Sequence, residues 1–214
     1  AQELPKVSPV MIATGGEMQG EETTSYEGTA PLHAEFRANP KQLGAYTPLY
    51  EWRFTKNGEA QPFLLRYDEN TSYDFLESGS FTIELRCSFV QGSDTLIADE
   101  MEPFVVSIRE SMLEFPNAFT PNGAGINDIF KAKDGWQSIV EFRAIIVSRW
   151  GKKLFEWKNP AEGWDGKSGG KDVPDGAYFL NVQAKGADGR VYNIRKTINL
   201  LRGFQENMNS TPDL

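Results

Sequence analysis

The 214-residue chain is short of the residues that build reactive centres. It has one cysteine, Cys87, and one histidine, His33. A single cysteine excludes an internal disulfide and any Cys-x-x-Cys metal site. A single histidine excludes a His-rich zinc site and leaves Ser-His-Asp and Cys-His constellations almost no material. No apolar run is long enough to form a membrane-spanning helix. No segment of helical period exceeds about two turns. Basic charge is scarce in the first half. Residues 1–111 carry 8 Lys and Arg against 18 Asp and Glu, a net −10, whereas residues 112–214 carry 14 against 12. This asymmetry supports two modules meeting near 111. The acidic first module argues against nucleic acid as a partner, since that needs a basic face.

The opening "AQELPKVSPV" has neither a basic n-region nor an apolar h-region. It reads as a mature end left by signal removal, or as a trimmed start. No N-terminal Cys is available for a lipid.

What the chain has in plenty is alternation. Strands are expected at 7–13, 31–38, 48–54, 63–68, 79–91, 95–99 and 103–110. Leu32, Ala34 and Phe36 share one face, and so do Tyr50, Trp52 and Phe54. Cys87 alternates with Phe81, Ile83, Leu85 and Phe89, which makes it an inert core thiol. His33 falls on the polar side of its strand with Glu35 and Arg37, facing solvent. Asn57-Gly58 is a hairpin dipeptide. Residues 14–29 read as a polar, Gly-rich loop, with room for a short strand at Tyr26. About seven short strands of this kind predict a β-sandwich.

Residues past 111 repeat the pattern, with strands expected at 115–121, 140–150, 153–157, 176–185 and 191–202. The run 142–147, "FRAIIV", is apolar on both faces and predicts a central strand covered on both sides. The connector 108–115, "IRESMLEF", has no Pro or Gly and predicts a short, stiff joint. Residues 203–214 are polar and expected to fray.

Acidic residues are the remaining material for catalysis. "YDENTSYDF" (67–75) holds Asp68, Glu69 and Asp74 and is expected to be a solvated loop. A hydrolase would need two carboxylates facing one bond, and no pair stands out. The stretch 115–130, "FPNAFTPNGAGINDIF", offers Asn122, Asn127 and Asp128 to a calcium ion, with only one side-chain charge. Turn formation by Asn and Asp is the simpler expectation. No residue is assigned a catalytic role, no metal site is assigned, and no cofactor is expected.

Six segments occur in order: "FPNAFTPNGAGINDIF" (115–130), "SRWGKKLFE" (148–156), "GWDGK" (163–167), "VPDGAYFL" (173–180), "DGR" (188–190) and "INLLR" (198–202). Together they resemble the gliding-motility-associated C-terminal domain of Bacteroidetes, the type B sorting domain of the type IX secretion system. The resemblance covers about 90 residues. The positions that carry its motif are Phe119, Thr120, Pro121, Asn122, Gly123, Gly125, Asn127, Asp128, Arg149, Trp150, Gly151, Trp164, Asp165, Gly166, Gly176 and Tyr178. At 124 the chain has Ala where the pattern usually has Asp, which removes a carboxylate from the loop. Physically, Pro121-Asn122-Gly123 makes a turn, and Trp150 and Trp164 are expected to cap a sandwich edge. Arg149 is a surface cation or stacks on an aromatic ring.

The first half resembles PKD-type or immunoglobulin-like sandwiches through "TAPLHAEFRANP" (29–40), "YEWRF" (50–54) and "SGSFTIELRCSF" (78–89). "DTL" (94–96) resembles a short O-glycosylation acceptor pattern. The expected protein is therefore all-β, with two tandem immunoglobulin-like β-sandwiches at 1–111 and 112–203 and a tail at 204–214. The resemblances imply a non-enzymatic secreted or cell-surface protein, an adhesion or spacer module that meets outer-membrane secretion machinery. The alternative is a glycan-binding module, with Tyr46, Tyr50, Tyr67 and Tyr73 as platform candidates, though Tyr50 is better placed to face the core. The surface ligand, glycan or protein, is not named by the sequence.

Overall fold

The computed structural model describes residues 4–98 and 101–203, and every regular element among them is a β-strand. The polar tail 204–214 and the start at Ala1 lie outside the described residues. The chain divides into two compact units, Ala1–Ser111 with Ala187–Gly189, and Met112–Gly186 with Arg190–Leu214.

The first unit is built from two main sheets and a short ladder, Lys6–Val7 with Pro40–Lys41. In one, the spatial order is Ser25–Gly28, Phe104–Ile108, Gly79–Gln91, Thr47–Lys56 and Leu64–Arg66, with Asp94–Ala98 also paired to Gly79–Gln91. In the other it is Met18–Thr23, Val10–Gly15, Leu32–Arg37 and Asn70–Phe75. Ser25–Gly28 runs parallel to Phe104–Ile108, and the other pairings are antiparallel. Period-two side chains supply the core. Leu32, Ala34, Phe36, Trp52 and Phe54 are fully buried. The Phe36 ring lies 5.8 Å from Trp52 and meets Phe54 edge-on at 5.4 Å, an arrangement aromatic quadrupoles favour. The Trp52 indole N–H donates to the Asp68 carbonyl at 3.1 Å, so its burial strands no donor. Cys87 sits in the same core, and burial pushes its thiol up to about 11. It stays protonated at neutral pH and is a poor nucleophile.

Three expectations for this unit need correction. Residues 14–29 are not mostly loop, since Met18–Thr23 pairs with Val10–Gly15, while the short strand expected at Tyr26 is present as Ser25–Gly28, paired with Phe104–Ile108. Met18–Thr23 is an edge strand with hardly any buried side chain, so it shows no apolar alternation. Residues 67–75 are not all loop either, because Asn70–Phe75 forms the edge strand beside Leu32–Arg37. Tyr73 is no platform residue. Its ring packs against Phe75, Phe54 and Phe63 at 4.8, 5.5 and 5.6 Å.

The second unit has one five-stranded sheet, ordered Ala118–Phe119, Val191–Leu200, Gly176–Gly186, Ile139–Val147 and Lys153–Trp157. Two short ladders accompany it, Phe130–Lys131 with Gly163–Trp164, and Lys167–Ser168 with Lys171–Asp172. The core gathers Ala144, Ile146, Tyr178, Leu180, Val182, Ile198 and Leu200 from the sheet with Leu113, Phe115, Phe119, Phe130 and Trp164. The expected strand 115–121 shrinks to Ala118–Phe119, because Pro116 and Pro121 flank it and have no N–H to pair. The strand expected over 140–150 stops at Val147, where the hairpin turn begins. It lies one place from the sheet edge rather than at the centre, which Gly176–Gly186 occupies. Ala144 and Ile146 are buried, whereas Ile145 and Val147 are only half-buried, so one face is covered and not two.

Candidate functional site

The motif residues fall into three groups, all in the second unit. The first is the loop 119–128. Its organiser is the Asp128 carboxylate. Oδ1 accepts the N–H groups of Asn122 and Gly123 at 2.9 and 2.9 Å, and Oδ2 accepts that of Gly125 at 2.6 Å. Asn122 Oδ1 accepts the Ala124 N–H at 3.0 Å. The Thr120 N–H donates to the Asn127 carbonyl at 2.8 Å, with Asn127 in the left-handed region at φ 56. Two of the three side chains offered to calcium are thus turned onto the loop's own backbone. Among the described residues no cluster of three His, Cys, Asp or Glu side chains could hold a metal ion.

The hydrogen bonds from Gly125 and Gly123, and then Asn122, hold the Asp128 carboxyl below its usual range. A depressed folded value means the stabilisation is full above the unfolded value of about 3.9 and is lost as pH falls through the folded one. We expect Asp128→Asn to lower the melting temperature at pH 7, with the gap to wild type closing as pH falls below about 4. Thermal melts of both chains at several pH values check this. A gap that persisted unchanged at low pH would contradict it.

The second group is a knot around Trp164 and Arg202. Trp164 is fully buried, not at a sandwich edge, and contacts Tyr178 at 5.3 Å and Phe119 at 5.4 Å. Its indole N–H donates to the Lys167 carbonyl at 2.7 Å. Asp165 Oδ1 accepts the Lys167 N–H at 3.0 Å and tightens the same turn. The Tyr178 hydroxyl donates to the Pro174 carbonyl at 2.6 Å. Arg202 gathers three segments. Its guanidinium donates to the Val173 carbonyl, to Gly166 O at 2.9 Å and to Asp175 Oδ1 at 3.2 Å. Its backbone N–H donates to Asp175 Oδ2 at 2.8 Å. Gly166 has φ +79, and a Cβ there would stand 2.9 Å from Arg202 Nη2 and 3.1 Å from both Leu200 and Pro121. Only glycine suits both the conformation and the space. Arg202 and Asp175 were not among the sequence-assigned site residues. Their only signal was position, closing "INLLR" and opening the turn in "VPDG".

The third group is the hairpin end 148–152. Trp150 does not cap an edge. It is 85% exposed, with the Arg149 guanidinium 5.2 Å from its ring. Arg149 is both a surface cation and stacked on an aromatic ring. Gly176, the remaining motif glycine, begins its strand at φ 147.

The first unit offers little convergent chemistry. His33 Nδ1 lies 2.6 Å from Asp74 Oδ1, an exposed cross-strand pair. Glu69 faces the Tyr50 hydroxyl at 3.3 Å, and burial, reinforced by Glu69, pushes that phenol up to about 12. A surface cleft of about 690 Å³ is lined by Leu49, Glu51, Tyr67, Arg86 and Ile97 among others. Of the four tyrosines offered as a platform, only Tyr67 is well exposed, while Tyr46, Tyr50 and Tyr73 are half-buried.

Residues 113–198 match the family model described as the CHU_C Type IX secretion signal domain. The span takes in the Asp128 loop, the hairpin end and Trp164, and stops short of Arg202. No curated protein matches the chain. Among solved structures, the human OSCAR ligand-binding domain is similar at 12% identity, covering 89% of this chain and 97% of that one. Its TM-score of 0.30 is too low to carry an argument.

Proposed function

We propose that this chain, whose second unit is a type IX secretion signal domain, is a non-enzymatic surface protein in which the second unit directs export and the first is the exported adhesion or spacer module. The signal domain indicates export to the cell surface or the medium and contact with the secretion machinery. The observation that carries the division of labour is that the matched span, apart from Ala187–Gly189, belongs to the second compact unit, which has its own buried core. The thin inventory of nucleophiles and bases supports a non-enzymatic role. Cys87 is buried, and His33 is paired with Asp74 at the surface. Glycan binding has less support, because the four candidate tyrosines do not form one exposed platform.

The test is surface-protease accessibility on intact native cells, comparing the full chain with a version ending at Ser111. We expect the full chain to be digested from outside and the shortened one to be protected. Equal exposure of the two would make the second unit a structural module.

A further inference from the structure

Phe119, Trp164 and Tyr178 are 2%, 0% and 8% exposed, whereas Trp150 is 85% exposed. The indole of Trp150 therefore forgoes the burial that lets the other three stabilise the fold. The turn that carries it is nevertheless closed by its own hydrogen bonds. Ser148 Oγ accepts the N–H groups of Trp150 and Lys152 at 3.3 and 3.2 Å. The Gly151 N–H donates to Ser148 O, and the Ser148 N–H to Lys152 O, both at 2.9 Å. Gly151 takes φ +81, which closes the turn. Arg149 lies against one face of the ring. An aromatic presented in the open beside an arginine has the composition of an interface hot spot.

We propose that the hairpin end 148–152 is the contact by which the second unit docks on an acidic protein surface of the secretion machinery. Trp150 fills an apolar recess there, and Arg149 and Lys152 meet carboxylates at its rim. This rests on the export reading above. The partner's charge follows from the hairpin itself. Lys153 is paired with Glu156 at 2.6 Å, but among the described residues no ion pair joins Arg149 or Lys152 to a carboxylate. A neutral sugar would use the ring face and leave both cations unmatched. Carboxylates around a recess use all three side chains.

The experiment uses the full chain in native cells, with surface-protease accessibility as the readout and thermal melts of the purified variants as control. Trp150→Ala is expected to lower the surface-exposed fraction about tenfold or more, with a melting temperature within about 2 °C of wild type because the ring is exposed. The double change R149E/K152E is expected to lower display in the same way, and R149K/K152R to retain it. Normal display of Trp150→Ala, with the version ending at Ser111 still retained, overturns this inference and leaves the export reading intact. Loss of display with Trp150→Ala but not with R149E/K152E overturns the acidic partner and points to an uncharged surface or a glycan. A large fall in melting temperature for Trp150→Ala makes the residue structural and overturns the docking role. Display of the version ending at Ser111 overturns the export reading itself.

Discussion

Replacing Trp164 by alanine is expected to lower the stability of the second unit by about 3–5 kcal/mol. The side chain is fully buried between Phe119 and Tyr178, with ring centroids 5.4 and 5.3 Å away. Its loss removes the largest group in that part of the core and leaves a space that Phe119, set in a two-residue strand, is poorly placed to fill. The Lys167 carbonyl also loses its donor at 2.7 Å. Cavity and orphaned acceptor act in the same direction. Denaturant titration of the full chain, followed by circular dichroism, measures the effect. The second unit's transition should move to lower denaturant while the first unit's stays put. Trp164→Phe should recover part of the loss, since it refills much of the volume without the N–H. A change below about 1 kcal/mol would mean that the site collapses freely around the gap.

Arg202→Ala is expected to cost about 2–4 kcal/mol, although the residue sits at the end of the last strand. Its side chain is only 22% exposed and serves the carbonyls of Gly166 and Val173 as well as Asp175 and Asp172. Removing it leaves two carbonyls and two carboxylates without their cation. The turns carrying Trp164 and Tyr178 then lose their tie to the last strand. Arg202→Lys should recover less than half of the loss, because an ammonium is a point charge and cannot span acceptors on three segments as a planar guanidinium does. The same denaturation experiment, with Asp175→Ala completing a double-mutant cycle, separates the Arg202–Asp175 coupling from the carbonyl bonds. Additive effects of the two changes would show that the pair itself contributes little. Arg202 lies beyond the matched span 113–198, although it closes the resembling segment "INLLR" (198–202).

Much of the fold was legible wherever a strand is buried on one face. Gly79–Gln91 runs over the residues that its alternation marks, and Leu32–Arg37 falls inside the expected 31–38. There, burying every second side chain leaves a period of two in the sequence. Strands without a buried face leave no such trace. Met18–Thr23 has no apolar side chain after Met18, and only its pairing with Val10–Gly15 makes it a strand. The candidate site divides in the same way. Asp128 is close in sequence to the N–H groups it accepts, so a turn centred on it could be read locally. Arg202 reaches residues 27 and 36 positions away, and no local pattern announces such a contact.

The sequence by itself determined an all-β chain, an acidic first half, a lone inward-facing thiol and a second half that resembles a secretion signal domain. Each follows from composition, period or an ordered motif, which are properties of neighbours along the chain. Only the tertiary structure decided which motif tryptophan is core and which is surface. Trp164 and Trp150 sit in similar Gly-containing stretches of sequence, yet one is enclosed by Phe119 and Tyr178 and the other stands in solvent. Burial is set by what other segments bring to a side chain, and those segments are distant in sequence.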